Sequence, residues 1–197
     1  MLTIAPESPL TPDLTLLMQR HTRAMHSQSP PESIHMLDAS KLAQPGISFF
    51  VMRDKGEAIG MGAVKRIDDS HAEIKSMHIL SERRGEGLSR KMLEHLTDHA
   101  LSLGFTKLSL ETGSQTGFAP ARGLYVKAGF EECGPFEGYG PDKNSVFMTR
   151  VIASKEMSSR PGESGQLSAL EPLPLVGWGR GGGASLRTVP RKSGGNP

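Results

Sequence analysis

The stretch between residues 71 and 111 limits the fold of this chain more than any other. It opens with "HAEIKSMHI", whose polar and apolar residues follow the two-residue period of a strand. The loop "LSERRGEG" comes next. A helical pattern follows over residues 88–103, with Leu88, Met92, Leu96, Ala100 and Leu103 on one stripe and Gly104 where a helix stop belongs. "FTKLSLE", residues 105–111, then reads as another strand. A strand, a helix and a strand in that order call for a parallel, right-handed crossover, here between residues 74–79 and 105–111.

The remaining segments supply neighbours for that pair. "LTIA" reads as an edge strand, "ISFFVMRD" and "EAIGMGAVKRI" as strands joined by a turn at Lys55-Gly56, and "NSVFMTRVI" as the last strand. Helices are expected over residues 11–26, with Pro12 in the first turn, over 33–43, and over 119–127, ended by Gly129. The fold class is therefore α/β, a mixed sheet with helices packed on it.

Composition excludes several classes of function. The formal net charge is only +2, and it is uneven. Residues 153–197 hold six basic and three acidic residues, a balance of +3, so residues 1–152 carry −1. A near-neutral domain gives no reason to expect a nucleic-acid or membrane partner, and no run of about 18 apolar residues is present. The start, "MLTIAPESPL", lacks an export signal, and the single cysteine, Cys133, allows no internal disulfide, so a cytoplasmic setting is expected. Residues 153–197 are rich in Gly, Pro and Ser without a sustained period and read as a disordered tail behind a domain of residues 1–152. "GWGRGGGASLR" within that tail is too short to read as a nucleic-acid segment. His95 and His99 have a metal-binding spacing but no HExxH glutamate or third ligand, so they read as a solvated face and no metal is expected. Cys133 reads as a structural or incidental thiol.

The loop at residues 84–89 lies between a strand's end and a helix N-terminus. Unpartnered N–H groups and the positive end of the helix dipole meet there, and glycines permit close approach. With Arg83 and Arg84 adding charge, the chemistry suits a phosphate or pyrophosphate; a solvated turn is the alternative. There is no G-x-x-x-x-G-K-[ST] run, and "GEGLSR" breaks the G-x-G-x-x-G fingerprint at Arg90, so both common nucleotide loops are disfavoured.

Two motifs carry a family resemblance. "RGEGLS" resembles the acyl-CoA loop [QR]-x-x-G-x-[GA] of the GNAT N-acetyltransferase superfamily, with Arg84 and Gly87 in place and Ser89 for the usual Gly or Ala. "ARGLYVKAGF" resembles the family's A-x-x-L-Y-x-x-x-G-F helix, while Phe118 stands where an asparagine is common. The resemblance covers residues 2–152. It implies a GNAT-like, mostly antiparallel mixed sheet with flanking helices, and acetyl-CoA lying between two central strands that splay apart. The pyrophosphate would sit on Arg84, Gly85, Glu86, Gly87, Leu88 and Ser89, and the pantetheine arm on the backbone of Met77, His78 and Ile79. Homodimers occur in the family, so a homodimer is among the expectations.

The chemistry implied is attack of a primary amine on a thioester without a metal. The amine must lose a proton, the developing oxyanion needs donors, and the departing thiolate needs a proton or a hydrogen bond. The resemblance puts Tyr125 beside the sulfur in that last role; packing of its ring on the sheet is the alternative. Glu73 is the candidate base, with His78, Glu111 and unassisted loss through water behind it; otherwise Glu73 is a solvent-facing partner of Lys75. Glu111 and His35 are expected on the acceptor side, walled by "SPPESIH", which includes Glu32, and by "GPFEGYGPDKNS". The acceptor is expected to be a small amine or amino-acid-like metabolite. A protein or peptide acceptor, or a binding module that no longer turns acyl-CoA over, stays open.

Overall fold

The structure is a computed structural model that describes residues 1–152. Seven strands form one sheet: β1 (Leu2–Pro6), β2 (Ile47–Asp54), β3 (Glu57–Arg66), β4 (His71–Ile79), β5 (Lys107–Gly113), β6 (Glu131–Cys133) and β7 (Ser145–Val151). Their order is β1-β2-β3-β4-β5-β7-β6. Among the described residues only β4 and β5 pair in parallel; the other pairs are antiparallel. The helices are α1 (Thr15–Gln28), α2 (Ala39–Leu42), α3 (Leu88–Ser102) and α4 (Ala119–Lys127).

Local chemistry accounts for most of these boundaries. Lys55 and Gly56 both have positive φ, 51° and 92°, the geometry a tight two-residue hairpin between β2 and β3 demands. Gly104, with φ 87°, ends α3 in the left-handed conformation, and the Phe105 N–H folds back to the Ala100 carbonyl. The helix expected over residues 33–43 shrinks to the single turn of α2. Asp38 caps that turn by accepting from the Lys41 N–H at 2.8 Å, and Leu42 is its one buried side chain. Without a longer apolar stripe, nothing holds further turns to the sheet. The helix expected over 11–26 runs four residues late at its start, as a 3-10 turn over Pro12–Leu14 that hands on to α1.

The sheet is covered on both faces. Helices α3 and α4 bury Met92, Leu96, Ala100 and Tyr125 against Ile74, Leu108 and Leu110. On the other face Leu14, Leu17 and Leu42 pack on Phe49, Val51, Met61 and Ala63. Full burial of the Leu, Ile, Val, Phe and Met side chains among these contributes about 1.5–3 kcal/mol each. Helix α3 sits close over β3 because residue 62 is glycine. A Cβ there would stand 2.8 Å from Leu96 Cδ1 and 3.4 Å from Met92 Cγ.

The disordered tail expected from the sequence lies outside the described residues. Among the described residues, no helix is long and apolar enough to cross a membrane.

Candidate active site

The site begins where the parallel pair comes apart. Strands β4 and β5 are paired from His71/Lys107 to Ile74/Leu110. Past that point β5 stays with β7, Glu111 opposite Phe147 and Gly113 opposite Ser145, while β4 follows β3 alone. The same place carries a bulge. Met61 faces His78 and Ala63 faces Lys75, so Ser76 and Met77 together oppose Gly62. Ser76 has φ 51°, rare for a serine inside a strand.

The parting leaves a cleft of about 600 Å³. Met77, His78, Ile79, Arg84, Gly85, Gly87, Leu88, Ser89 and Tyr125 all line it, as do Glu111 and His35. Of the residues singled out from the sequence for the site, Glu32, Glu73 and Glu86 do not.

One end of the cleft is backbone. Gly85 and Gly87, with φ 86° and 73°, turn the chain into α3, and Gly87 is the residue before its first turn. Among the described residues the N–H groups of 85–90 find no acceptor, and the first turn of α3 holds no acidic side chain. Six successive donors at the positive end of a helix form a cradle for an anion. The two arginines do not act alike here. Arg83 is taken up by Glu86, Nε to Oε1 at 2.7 Å, and by Asp54 at 3.1 Å, which together raise its pKa. Glu86 therefore turns its side chain away and offers the cradle only its N–H. Both arginines line the cleft, but Arg84 has no carboxylate partner among the described residues and is the one left to add charge to the cradle.

The other end is made of side chains. Glu73 is 1% exposed. Its Oε1 accepts from the Tyr139 hydroxyl at 2.6 Å and from Lys75 Nζ at 3.1 Å, and Lys65 Nζ lies 3.8 Å from its Oε2. Lys75 also donates to the Tyr139 hydroxyl at 2.5 Å and to the His35 carbonyl at 3.1 Å, so its three N–H bonds are all used. Glu73 is thus the partner of Lys75, but sealed under Tyr139 rather than facing solvent. His35 stands edge-on to Tyr139, centroids 5.1 Å apart, with Nε2 3.9 Å from an Asp142 oxygen. Glu32 is exposed and does not line the cleft.

Glu111 differs from Glu73. It lines the cleft, burial raises its pKa, and the Ser145 hydroxyl, donating at 2.6 Å, works against that rise. Tyr125, 6% exposed, has its pKa raised by burial and then by Glu111. His78 is pushed down to about 4 by burial and by the nearby Arg84 and Arg20, so it is a neutral imidazole at pH 7. Phe118, in the asparagine's place, also lines the cleft and packs beside Gly113.

Tyr139 and Ser76 escaped the sequence reading. Tyr139 reaches Glu73 across 66 positions from a glycine-rich loop, and the Ser76 bulge has no local signature. His95 and His99 are not a solvated face. Both rings stand 4.7 Å from Phe50, centroid to centroid, with their Nε2 atoms buried. Cys133, half-buried in β6, has its thiol pKa raised by burial, the state of an unreactive thiol.

Comparison with known proteins then decides the family. Residues 14–130 match the model of the Acetyltransferase (GNAT) family. The chain belongs to the GNAT acetyltransferases. It is 45% identical over 136 residues to the uncharacterized N-acetyltransferase YsnE of Bacillus subtilis, a match covering 69% of this chain and 90% of that one. It is 39% identical over 151 residues to the IAA acetyltransferase of Azospirillum brasilense, covering 76% and 97%. A solved Klebsiella pneumoniae protein, described as a candidate acyl-CoA N-acyltransferase, superposes with a TM-score of 0.64 at 27% identity, covering 78% of this chain and 99% of its own. The protein is accordingly an acyltransferase, and GNAT enzymes use acetyl-CoA.

Proposed function

We infer that the protein transfers the acetyl group of acetyl-CoA to a primary amine of a small, amino-acid-like acceptor, by direct attack while both are bound. The observation that carries this reading is the convergence, in one cleft, of an unpartnered N–H cradle with a half-buried carboxyl and a buried phenol. Acetyl-CoA supplies the activated acyl thioester. The N–H groups of 85–90 and Arg84 suit its pyrophosphate, and the edge of β4 past Ile74, free of β5, suits its arm. The relative named as an IAA acetyltransferase favours a small acceptor over a protein.

The roles follow from placement. An alkylammonium with a pKa of about 10 must lose a proton before it attacks. Glu111 takes that proton, because it faces the cleft and burial brings its pKa up towards the working range. Glu73 cannot reach an acceptor through Lys75 and Tyr139, so it positions those two. Tyr125 keeps its proton at neutral pH and donates it, or a hydrogen bond, to the departing thiolate. Backbone donors at the Ser76–Met77 bulge stabilise the oxyanion.

Thermal unfolding with acetyl-CoA, against ATP and NAD, tests the reading. At 100 times its dissociation constant the donor should stabilise by about 2.7 kcal/mol, a shift of a few degrees. An amine panel read by thiol release should follow. No shift at millimolar acetyl-CoA would sink the donor assignment, and a shift without thiol release would recast the protein as an acyl-CoA-binding module.

A further inference from the structure

One buried group has no role in the chemistry above. His21, on α1, is 5% exposed, lines the cleft, and has neither ring nitrogen hydrogen-bonded among the described residues. Core histidines normally satisfy at least one nitrogen, and an orphan at the wall of a ligand cleft calls for a partner from the ligand. Ala24, Met25 and Gln28 continue its stripe of α1 along the same wall.

Its place along the cleft selects the ligand. The His21 ring lies 5.1 Å from that of His78 on β4. His78 in turn feels Arg84, Arg20 and Glu82, the charges around the N–H cradle. Glu111, at the other end, feels His35, Lys75 and Glu73 instead. His21 therefore belongs to the stretch between the cradle and the bulge, where the arm of the donor would run, and not to the acceptor end. Burial, followed by His78, holds its pKa at about 3, so the ring is neutral and offers one N–H donor and one nitrogen acceptor. An amide, which presents both a carbonyl and an N–H, is the complementary group.

We propose that His21 hydrogen-bonds through a ring nitrogen to an amide of the acyl donor's arm, and so sets affinity for the donor rather than for the acceptor. This rests on the acetyl-CoA reading of the cleft. His21 is a binding residue here and takes no proton in the reaction.

Calorimetric titration of the full chain with acetyl-CoA and with ADP tests it, since ADP has the pyrophosphate but no arm. His21→Phe, which keeps a ring of similar volume, should weaken acetyl-CoA about tenfold, or about 1.4 kcal/mol, and leave ADP within twofold. His21→Leu should do the same, so the result does not hang on the folding of one variant. His21→Gln, with an amide donor and acceptor, should restore affinity to within threefold, and the acceptor KM should hold in all three. If the wild type binds acetyl-CoA and His21→Phe binds it equally well, the His21 assignment is overturned and the donor reading stands. A parallel loss with ADP would also overturn it, as general damage to the cleft. If the wild type binds no acetyl-CoA, the donor reading fails first and takes this inference with it.

Discussion

The two ends of the cleft are built in different ways. At the proposed donor end the groups facing the cleft are backbone N–H bonds, presented by two glycines and the first turn of α3, all within residues 85–90. At the proposed acceptor end they are side chains from four separate segments: His35, Lys75, Glu111 and, behind them, Glu73 and Tyr139. Backbone donors change little with sequence, so one end can stay constant in chemistry while the other varies. The comparison teaches that donor and acceptor affinity should be separable by mutation.

The largest expected effect breaks the acceptor end. Glu73→Ala removes the carboxylate from a pair whose Lys75 is only 8% exposed, leaving a buried ammonium uncompensated. Losses of roughly 3–5 kcal/mol follow such truncations, on the order of 10 °C in the thermal midpoint for a domain of this size. Near its own stability margin the variant should still bind acetyl-CoA with wild-type affinity while its acceptor KM rises. A variant with unchanged midpoint and acceptor KM would show that the Glu73–Lys75–Tyr139 cluster holds nothing in place.

Next in size is the chemical step between the two ends. Tyr125→Phe should lower kcat about a hundredfold, the range of a general acid, with both KM values nearly unchanged. Retained turnover in steady-state thiol release would remove Tyr125 from the chemistry and leave its ring as packing.

Arg84→Ala probes the donor end alone. The acetyl-CoA KM should rise about tenfold and the wild-type advantage should shrink as salt screens the charge, whereas Arg83→Ala, already paired to Glu86 and Asp54, should move the donor KM little. Equal effects from the two arginines would contradict the division of labour between them.

The smallest effect is a pH signature of Glu111. Burial raises its folded pKa above the ordinary 4.5, so the folded protein holds a proton that the unfolded chain releases. Its contribution to stability is present below 4.5 and is lost as pH rises through the raised value. Activity should run the other way, rising with pH through that window as the carboxylate becomes available. Glu111→Gln should flatten both curves; a pH–rate profile that keeps its acid limb in the variant would assign the base elsewhere.

The sequence placed the elements well where local chemistry decides them. "HAEIKSMHI" and "ISFFVMRD" are strands and residues 119–127 a helix with the expected bounds, because alternation, helical stripes and glycine stops act over a few residues. The GNAT motifs likewise lie in short contiguous runs, so the family and the glycine turn into α3 were legible. The two carboxylates were not. Glu73 and Glu111 sit on the same face of neighbouring strands, and nothing near either one says which meets the ligand. Glu73 lies inside the paired part of the ladder, opposite Ser109, while Glu111 is the first residue of β5 past the last β4 pair. One becomes core and the other becomes cleft wall through a difference of two positions in register.

The turn at residues 85–90 is therefore written in the local sequence: glycines leading into a helix present N–H groups whatever surrounds them, because the geometry is set by φ angles and helix ends. The side-chain end of the cleft depends instead on the folded sheet as a whole. Where β4 and β5 part, which carboxylate Tyr139 covers from 66 positions away, and how Lys75 spends its three N–H bonds all depend on strand register and loop docking. Those are long-range pairings, set by the packing of the whole sheet and by no short run of residues.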